Sequence, residues 1–253
     1  MKPTYCVLLL AALPACRPDA PATEQAAPPV ATATVAHPAD TLHLPTGVVQ
    51  LLPSSAEEFN KLPASSVPDV ANDSLEEVKS LATAQGRVRR TGRDLLLKAD
   101  NGREVRLTST PAAEFTIQNG DAVRYQYQGS LPGAHQWVVR AWFWESTGTL
   151  LVDQRTGRRL EVLGQPAMSA DGRFLVLTSP GLGGGDQPNT VSLVQIDDDG
   201  PRLRWQRELT AWQAEEARWA HPGITILKIR HTNAQGELPN DAPVSYVQLP
   251  MPR

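Results

Sequence analysis

The stretch "GTLLVDQRTGRRLEVLGQPAMSADGRFLVLTSP", Gly148 to Pro180, decides how this chain folds. Its apolar residues come in short runs, each cut off by turn formers before a helix could develop. "TLLVD" (149–153) and "RRLEVL" (158–163) flank Gln154-Arg155-Thr156-Gly157, and "QPAMSADG" leads into "RFLVLTS" (173–179). Pro, Ser, Asp and Gly mark these breaks because they fix φ, tolerate positive φ or bond nearby backbone amides. "RFLVLTS" is almost continuously apolar, the pattern of a central strand covered on both faces. The stretch therefore predicts strands joined by tight turns.

The same grammar extends in both directions. Further strands are expected at "AVRYQYQ" (122–128), "QWVVRAWFW" (136–144), "TVSLVQI" (190–196), "LRWQREL" (203–209), "ITILKIR" (224–230) and "VSYVQL" (244–249). In 122–128, Val123, Tyr125 and Tyr127 alternate with Arg124, Gln126 and Gln128, as in a half-buried strand. "LLLKADNGREVRL" places Asn101-Gly102 between two strands, the signature of a type I′ hairpin with positive φ at both residues. Helical spacing occurs in "NDSLEEVKSLATAQG". There Ser74 and Glu77 have capping-box spacing, Leu75, Val78 and Leu81 share a face, and Gly86 ends the run. A second helix is read at "TAWQAEEARW", where Trp212 and Trp219 lie two turns apart, and a short one at Ala56 to Leu62. The fold class is all-β and antiparallel: an incomplete, propeller-like stack of small sheets with one or two short helices, a β-sandwich being the alternative.

A resemblance sharpens this. A strand, a turn containing Thr156-Gly157, a second strand, then Pro166, Ser169, Asp171, Gly172 and Arg173 in a P-x-x-S-x-D-G-cation pattern resemble blades of bacterial β-propellers of the Tol-system and WD-repeat types. Ala170 stands where such blades usually carry Pro. The resemblance implies that "RFLVLTS" is the buried strand of a following blade, and it speaks to fold rather than activity. Roughly ten to twelve strands at four per blade make about three blades, below the 4–8 typical of closed propellers. An open stack is expected.

The chain starts with "MKPTYCVLLLAALPACRPDA", with a cation at Lys2 and an apolar run from Cys6 to Leu13. That is a secretory signal, too short to span a bilayer as a mature helix. Leu13-Pro14-Ala15-Cys16 resembles a bacterial lipobox, with Pro14 an unusual occupant. The resemblance implies cleavage of a signal peptide, 1–15, and lipidation of Cys16; an ordinary cleaved signal is the alternative. Cys16 would then be the mature chain's one cysteine, so no disulfide framework is expected within it. Residues 16–70, rich in Pro, Ala, Thr and Ser, read as a flexible tether, and 71–253 as the all-β domain. The expected location is the cell envelope, lipid-anchored on the periplasmic side or the outer-membrane surface. A formal charge of -3 and a pI near 6.0 provide no global basic field, so nucleic acid is not an expected partner.

Chemical motifs are few. "TSPGLGGGDQPNT" crowds glycines at Gly181, Gly183, Gly184 and Gly185, but the alternating "TVSLVQI" follows, so the run joins two strands rather than cradling a phosphate. Asp197, Asp198 and Asp199 lack the staggered register of a calcium loop and read as a turn. The histidines, His37, His43, His135, His221 and His231, show no metal-ligand spacing, and neither a metal nor a cofactor is expected. Arg87, Arg89, Arg90 and Arg93 form a local cationic spot, read chiefly as a solvated hairpin face. The aromatic residues are more pointed: all six Trp lie between 137 and 219. On the strand 136–144, Trp137, Val139, Ala141 and Phe143 read as core, while Arg140, Trp142 and Trp144 share the opposite face with His135 at the rim. Exposed together, these form a candidate platform for a protein or glycan partner. The leading expectation is a non-catalytic binding or envelope-assembly module. An envelope hydrolase using His221 or His231 as base, and a purely structural envelope protein, are the alternatives.

Overall fold

Short strands of alternating or continuous apolar character pair with their chain neighbours wherever a tight turn permits, and here they do so repeatedly. A computed structural model of the chain describes residues 41–45, 47–65, 67, 74–181, 187–233, 235 and 237–251. The signal, Cys6, Cys16, His37 and the glycine run 182–186 lie outside them. Strands β1 (Thr41–Leu44) and β2 (Gly47–Gln50) form a hairpin, followed by β3 (Leu52–Pro53) and helices α1 (Ala56–Asn60) and α2 (Ser74–Thr83). The first sheet is a meander of β4 (Val88–Thr91), β5 (Asp94–Lys98) and β6 (Glu104–Thr108). The second holds β7 (Arg124–Leu131), β8 (Gln136–Trp142), β9 (Thr147–Asp153) and β10 (Arg159–Val162). The third holds β11 (Gln165–Met168), β12 (Phe174–Ser179), β13 (Thr190–Asp197) and β14 (Gly200–Glu208). In the fourth, β15 (Trp212–His221), β16 (Ile224–His231) and β17 (Val244–Pro250) are completed by β3. The protein is all-β, and none of its sheets closes into a barrel.

Adjacent sheets pack face to face, and each interface is a separate hydrophobic cluster. Leu95, Leu97, Leu107, Tyr127, Trp137 and Val139 fill the first interface; Leu131, Val138, Leu151, Leu175, Leu177 and Val194 fill the second. The third gathers Trp205, Trp212, Trp219, Leu227 and Ile229 with Leu42, Leu44 and Leu51 of the N-terminal segment. β8 thus faces two cores at once, with Trp137 and Val139 on one side and Val138 on the other. The boundary between second and third sheets falls between β10 and β11, inside the 148–180 stretch, and β12 is a central strand flanked by β11 and β13.

An edge strand must satisfy its outward backbone groups or risk pairing with another chain. At β7 side chains do this. Tyr127 N donates to Glu77 Oε1 at 2.7 Å, and Arg90 Nη2 donates to Tyr125 O at 2.6 Å. Ser80 Oγ donates to Gln128 O at 2.9 Å, and Arg90 Nε bonds Glu77 Oε2 at 2.8 Å. Glu77 therefore serves the edge of β7. The helix turns Leu81 to the core, with Ala84 just past its end, and leaves Leu75 and Val78 68% and 63% exposed, so the expected apolar face is only partly the packing face.

Three further expectations are corrected. The predicted helix at 210–219 is β15: a bulge at Glu215 shifts the register between Ala214 and Glu216, which puts Trp212 and Trp219, seven residues apart, on the same core-facing side, a spacing that two helical turns also give. The tether read to residue 70 includes folded chain, because β3 pairs with β17 and Phe59 of α1 is 1% exposed, its ring 5.2 Å from that of Tyr246. At the Asn101-Gly102 hairpin only Gly102 has positive φ (83°). Asn101 instead accepts from Arg103 N at 3.0 Å and donates to Thr156 O at 3.2 Å, tying this turn to the next sheet. No helix among the described residues is long and apolar enough to cross a membrane.

Candidate functional site

The four residues singled out on β8 do not form one surface. Strands rise about 3.3 Å per residue, so His135 and Trp142 stand roughly 23 Å apart at opposite ends. His135 adopts a left-handed conformation (φ 51°) in the β7–β8 turn, its N donating to Pro132 O at 3.1 Å. Arg140 is 5% exposed, held between second and third sheets with Nη2 donating to Gln165 Oε1 at 2.8 Å. Trp142 is half-buried and its Nε1 donates to Gln126 Oε1 at 2.9 Å. Trp144, 49% exposed, and His135 are open to solvent, at opposite ends of the strand. A strand between two sheets has no free face, and only the turns at its two ends, with His135 at one and Trp144 at the other, reach solvent.

Trp144 instead meets residues from another loop. Its ring centroid lies 6.0 Å from that of Phe115, the planes tilted by 48°, and the Arg124 guanidinium lies 4.1 Å over the Phe115 ring. Phe115 follows a short 3-10 turn, Ala112–Glu114, and Ile117 beside it is 55% exposed. An aromatic pair contributes about 0.5–1.5 kcal/mol beyond its burial, and a cation over a ring about 0.5–1 kcal/mol at an exposed site. The cluster offers a partner two aromatic rings, an exposed Ile and a delocalised cation. Its sequence signal was the placing of Phe115 and Ile117 in "AEFTIQNGD", a turn-rich stretch where large apolar residues have no strand to serve.

At the other end, the hairpin turns of the second and third sheets border a cleft of ≈ 760 Å³, with His135, Arg155, Asp171, Arg173, Asp198 and Arg202 among its lining. Its charges mostly build the turns. Asp153, fully buried, accepts from Arg155 Nη2 at 2.9 Å, Thr156 N at 2.9 Å and Gln136 Nε2 at 2.9 Å. Burial alone would raise this carboxyl, but the bonds from Arg155, Thr156 and Gln136 prevail and hold it below its ordinary range. Arg155 reaches on to Asp197 O at 2.7 Å, linking the two sheets' turns. Ser169 Oγ donates to Asp171 Oδ1 at 2.7 Å and accepts from Phe174 N at 3.0 Å, and the Ser169 bond holds the Asp171 carboxyl down. Gly172 (φ 69°) comes so close to the β7–β8 turn that a Cβ there would lie 1.9 Å from Gly133 O. In this chain the S-x-D-G stretch docks one sheet's first hairpin on another's.

The remaining candidates have structural partners. Arg87 stacks on Trp137 at 4.9 Å, Arg89 pairs with Glu104 at 2.8 Å, Arg90 clamps Glu77, and Arg93 Nη1 donates to Ser109 O at 3.1 Å. Asp198 and Asp199 form the turn between β13 and β14. His231 Nε2 lies 2.9 Å from Ser245 Oγ across neighbouring strands, whereas His221 bonds the carbonyl of Pro222. Among the described residues no group of three or more His, Cys, Asp or Glu is placed to hold a metal ion. Comparison with family models, with curated proteins and with solved structures finds no match to this chain.

Proposed function

We propose that this chain is an exported lipoprotein, anchored in the cell envelope through acyl chains on Cys16, and that its sheet stack serves as a non-catalytic binding or assembly module for an envelope protein. The anchor rests on the Leu13-Pro14-Ala15-Cys16 stretch; two or more acyl chains make such anchoring stable, since one is marginal. The observation that carries the binding reading is the open cluster of Trp144, Phe115, Ile117 and Arg124 at a hairpin end. Aromatic and Arg side chains are the usual anchors of protein interfaces, and here they gather at a sheet end, Arg124 as the first residue of β7 and Trp144 in the hairpin after β8. The test combines acyl labelling of wild type and Cys16→Ala with in-cell crosslinking of wild type and Phe115→Ala/Trp144→Ala. Label lost in Cys16→Ala, with a crosslinked protein lost in the double variant at unchanged melting temperature, is the expected result. Unchanged label would remove the anchor, and unchanged crosslinks would remove the cluster.

A further inference from the structure

A three-stranded sheet cannot cover a four-stranded one, and where the first sheet falls short of the second it leaves a cavity of ≈ 320 Å³. Every strand of the second sheet contributes to its wall: Tyr125 from β7, Ala141 from β8, Leu150 from β9, Arg159 and Glu161 from β10, with Leu107 of β6 opposite. The floor is low because two small residues, Ala141 and Gly148, are cross-strand partners there. A Cβ on Gly148 would lie 3.8 Å from Ala141 Cβ, 3.5 Å from Phe143 Cε2 and 3.7 Å from Glu161 Oε1, so the Glu161 carboxylate leans over this floor. Tyr125 presents its phenol to the same space. Burial chiefly raises its pKa, Glu161 adds to the rise and Arg159 opposes it, which places the hydroxyl within electrostatic reach of both charges.

Arg159 and Glu161 are two residues apart on β10 and so share a face, roughly 7 Å from one another along the strand. A lone anion or cation in the cavity would meet one attractive and one repulsive head group, whereas a molecule carrying both charges satisfies the pair. Ala141 and Leu150 on the floor and Leu107 opposite are apolar, and the volume is at the small end of ligand pockets, about 300–1,000 Å³. We propose that this cavity binds a small zwitterion of the free amino-acid type. Its carboxylate meets Arg159 and the Tyr125 hydroxyl, its ammonium meets Glu161, and its apolar side group lies on Leu107, Ala141 and Leu150. The site is separate from the Trp144 cluster and does not depend on acylation.

The test is calorimetric titration of the full chain with L-leucine, N-acetyl-L-leucine, which lacks the ammonium, and L-leucinamide, which lacks the carboxylate. L-leucine is expected to bind with a Kd of about 1 mM or tighter, and each single-charge analogue at least about tenfold more weakly. Gly148→Val, whose methyl groups fill the floor, and the exposed-site variants Arg159→Gln and Glu161→Gln should each weaken L-leucine by about tenfold or more. No heat with L-leucine, equal affinity for the analogues, or unchanged binding in Arg159→Gln and Glu161→Gln would overturn the proposal. Should Gly148→Val fail to fold, those two charge variants decide the matter alone.

Discussion

Replacing Gly172 with Ala tests the contact that aligns the second and third sheets. The residue has φ 69°, and an L side chain in that region costs about 1–2 kcal/mol. The added Cβ would also lie 1.9 Å from Gly133 O, whereas carbon–oxygen contacts settle at about 3.3–3.6 Å. The two turns must therefore part by more than about 1 Å, or the β11–β12 turn must distort against its own Asp171 and Ser169 bonds, and forced overpacking of this kind costs about 1–3 kcal/mol. The sum is about 2–5 kcal/mol. Gly92→Ala is the matched control, because Gly92 also has positive φ (57°) but nothing within 4 Å of its Cβ position, leaving only the backbone term. At about 2–4 °C per kcal/mol for a domain of this size, Gly172→Ala should melt several degrees below Gly92→Ala. Urea midpoints followed by far-ultraviolet circular dichroism provide the same comparison. Equal losses in the two variants would refute the close approach of the turns.

Two further outcomes follow from buried carboxylates. Asp153 is held below its ordinary value near 3.8, so the stability it contributes is complete above that pH and is lost as pH falls through the depressed folded value. Asp153→Asn should accordingly lower the melting temperature at pH 7 and flatten the decline in acid, and parallel wild-type and variant curves between pH 7 and 2 would contradict this. Glu77→Ala removes the acceptor for Tyr127 N and should cost about 1–3 kcal/mol, with faster hydrogen exchange at Tyr127 than at Val139 on the neighbouring strand. Unchanged exchange at Tyr127 would show that the edge is satisfied another way.

The 148–180 stretch announced the layered architecture because its turn residues interrupt apolar runs at strand length, and the structure places the sheet boundary within it. β15 escaped notice for a definite physical reason: one bulged residue, Glu215, brings Trp212 and Trp219, an odd seven residues apart, to one face of the strand, a spacing that two helical turns also give. β1 to β3 were hidden by composition, since Pro45 and Pro53 suggested a tether while Leu42, Leu44 and Leu51 supplied the burial. At the site, alternation placed Arg140, Trp142 and Trp144 on one side of β8 but carried no information on what covers that side. Phe115 and Arg124, which meet near Trp144, come from the loop before β7 and the strand's first residue. Such a meeting is set by tertiary packing and leaves no periodic trace.

The pairing of β3 with β17 joins an early strand of the chain to its last described one, through the partners Val247↔Pro53 and Gln248↔Leu52. During synthesis β3 emerges long before the strand it needs, so the fourth sheet is finished only when the whole chain is available. The same joint sets how the molecule responds to force. A pull on residues upstream of Thr41 reaches the sheets through the β1–β2 hairpin and this two-residue seam. A seam that short unzips before the longer ladders behind it, leaving β15–β16–β17 intact while the N-terminal segment pays out as slack.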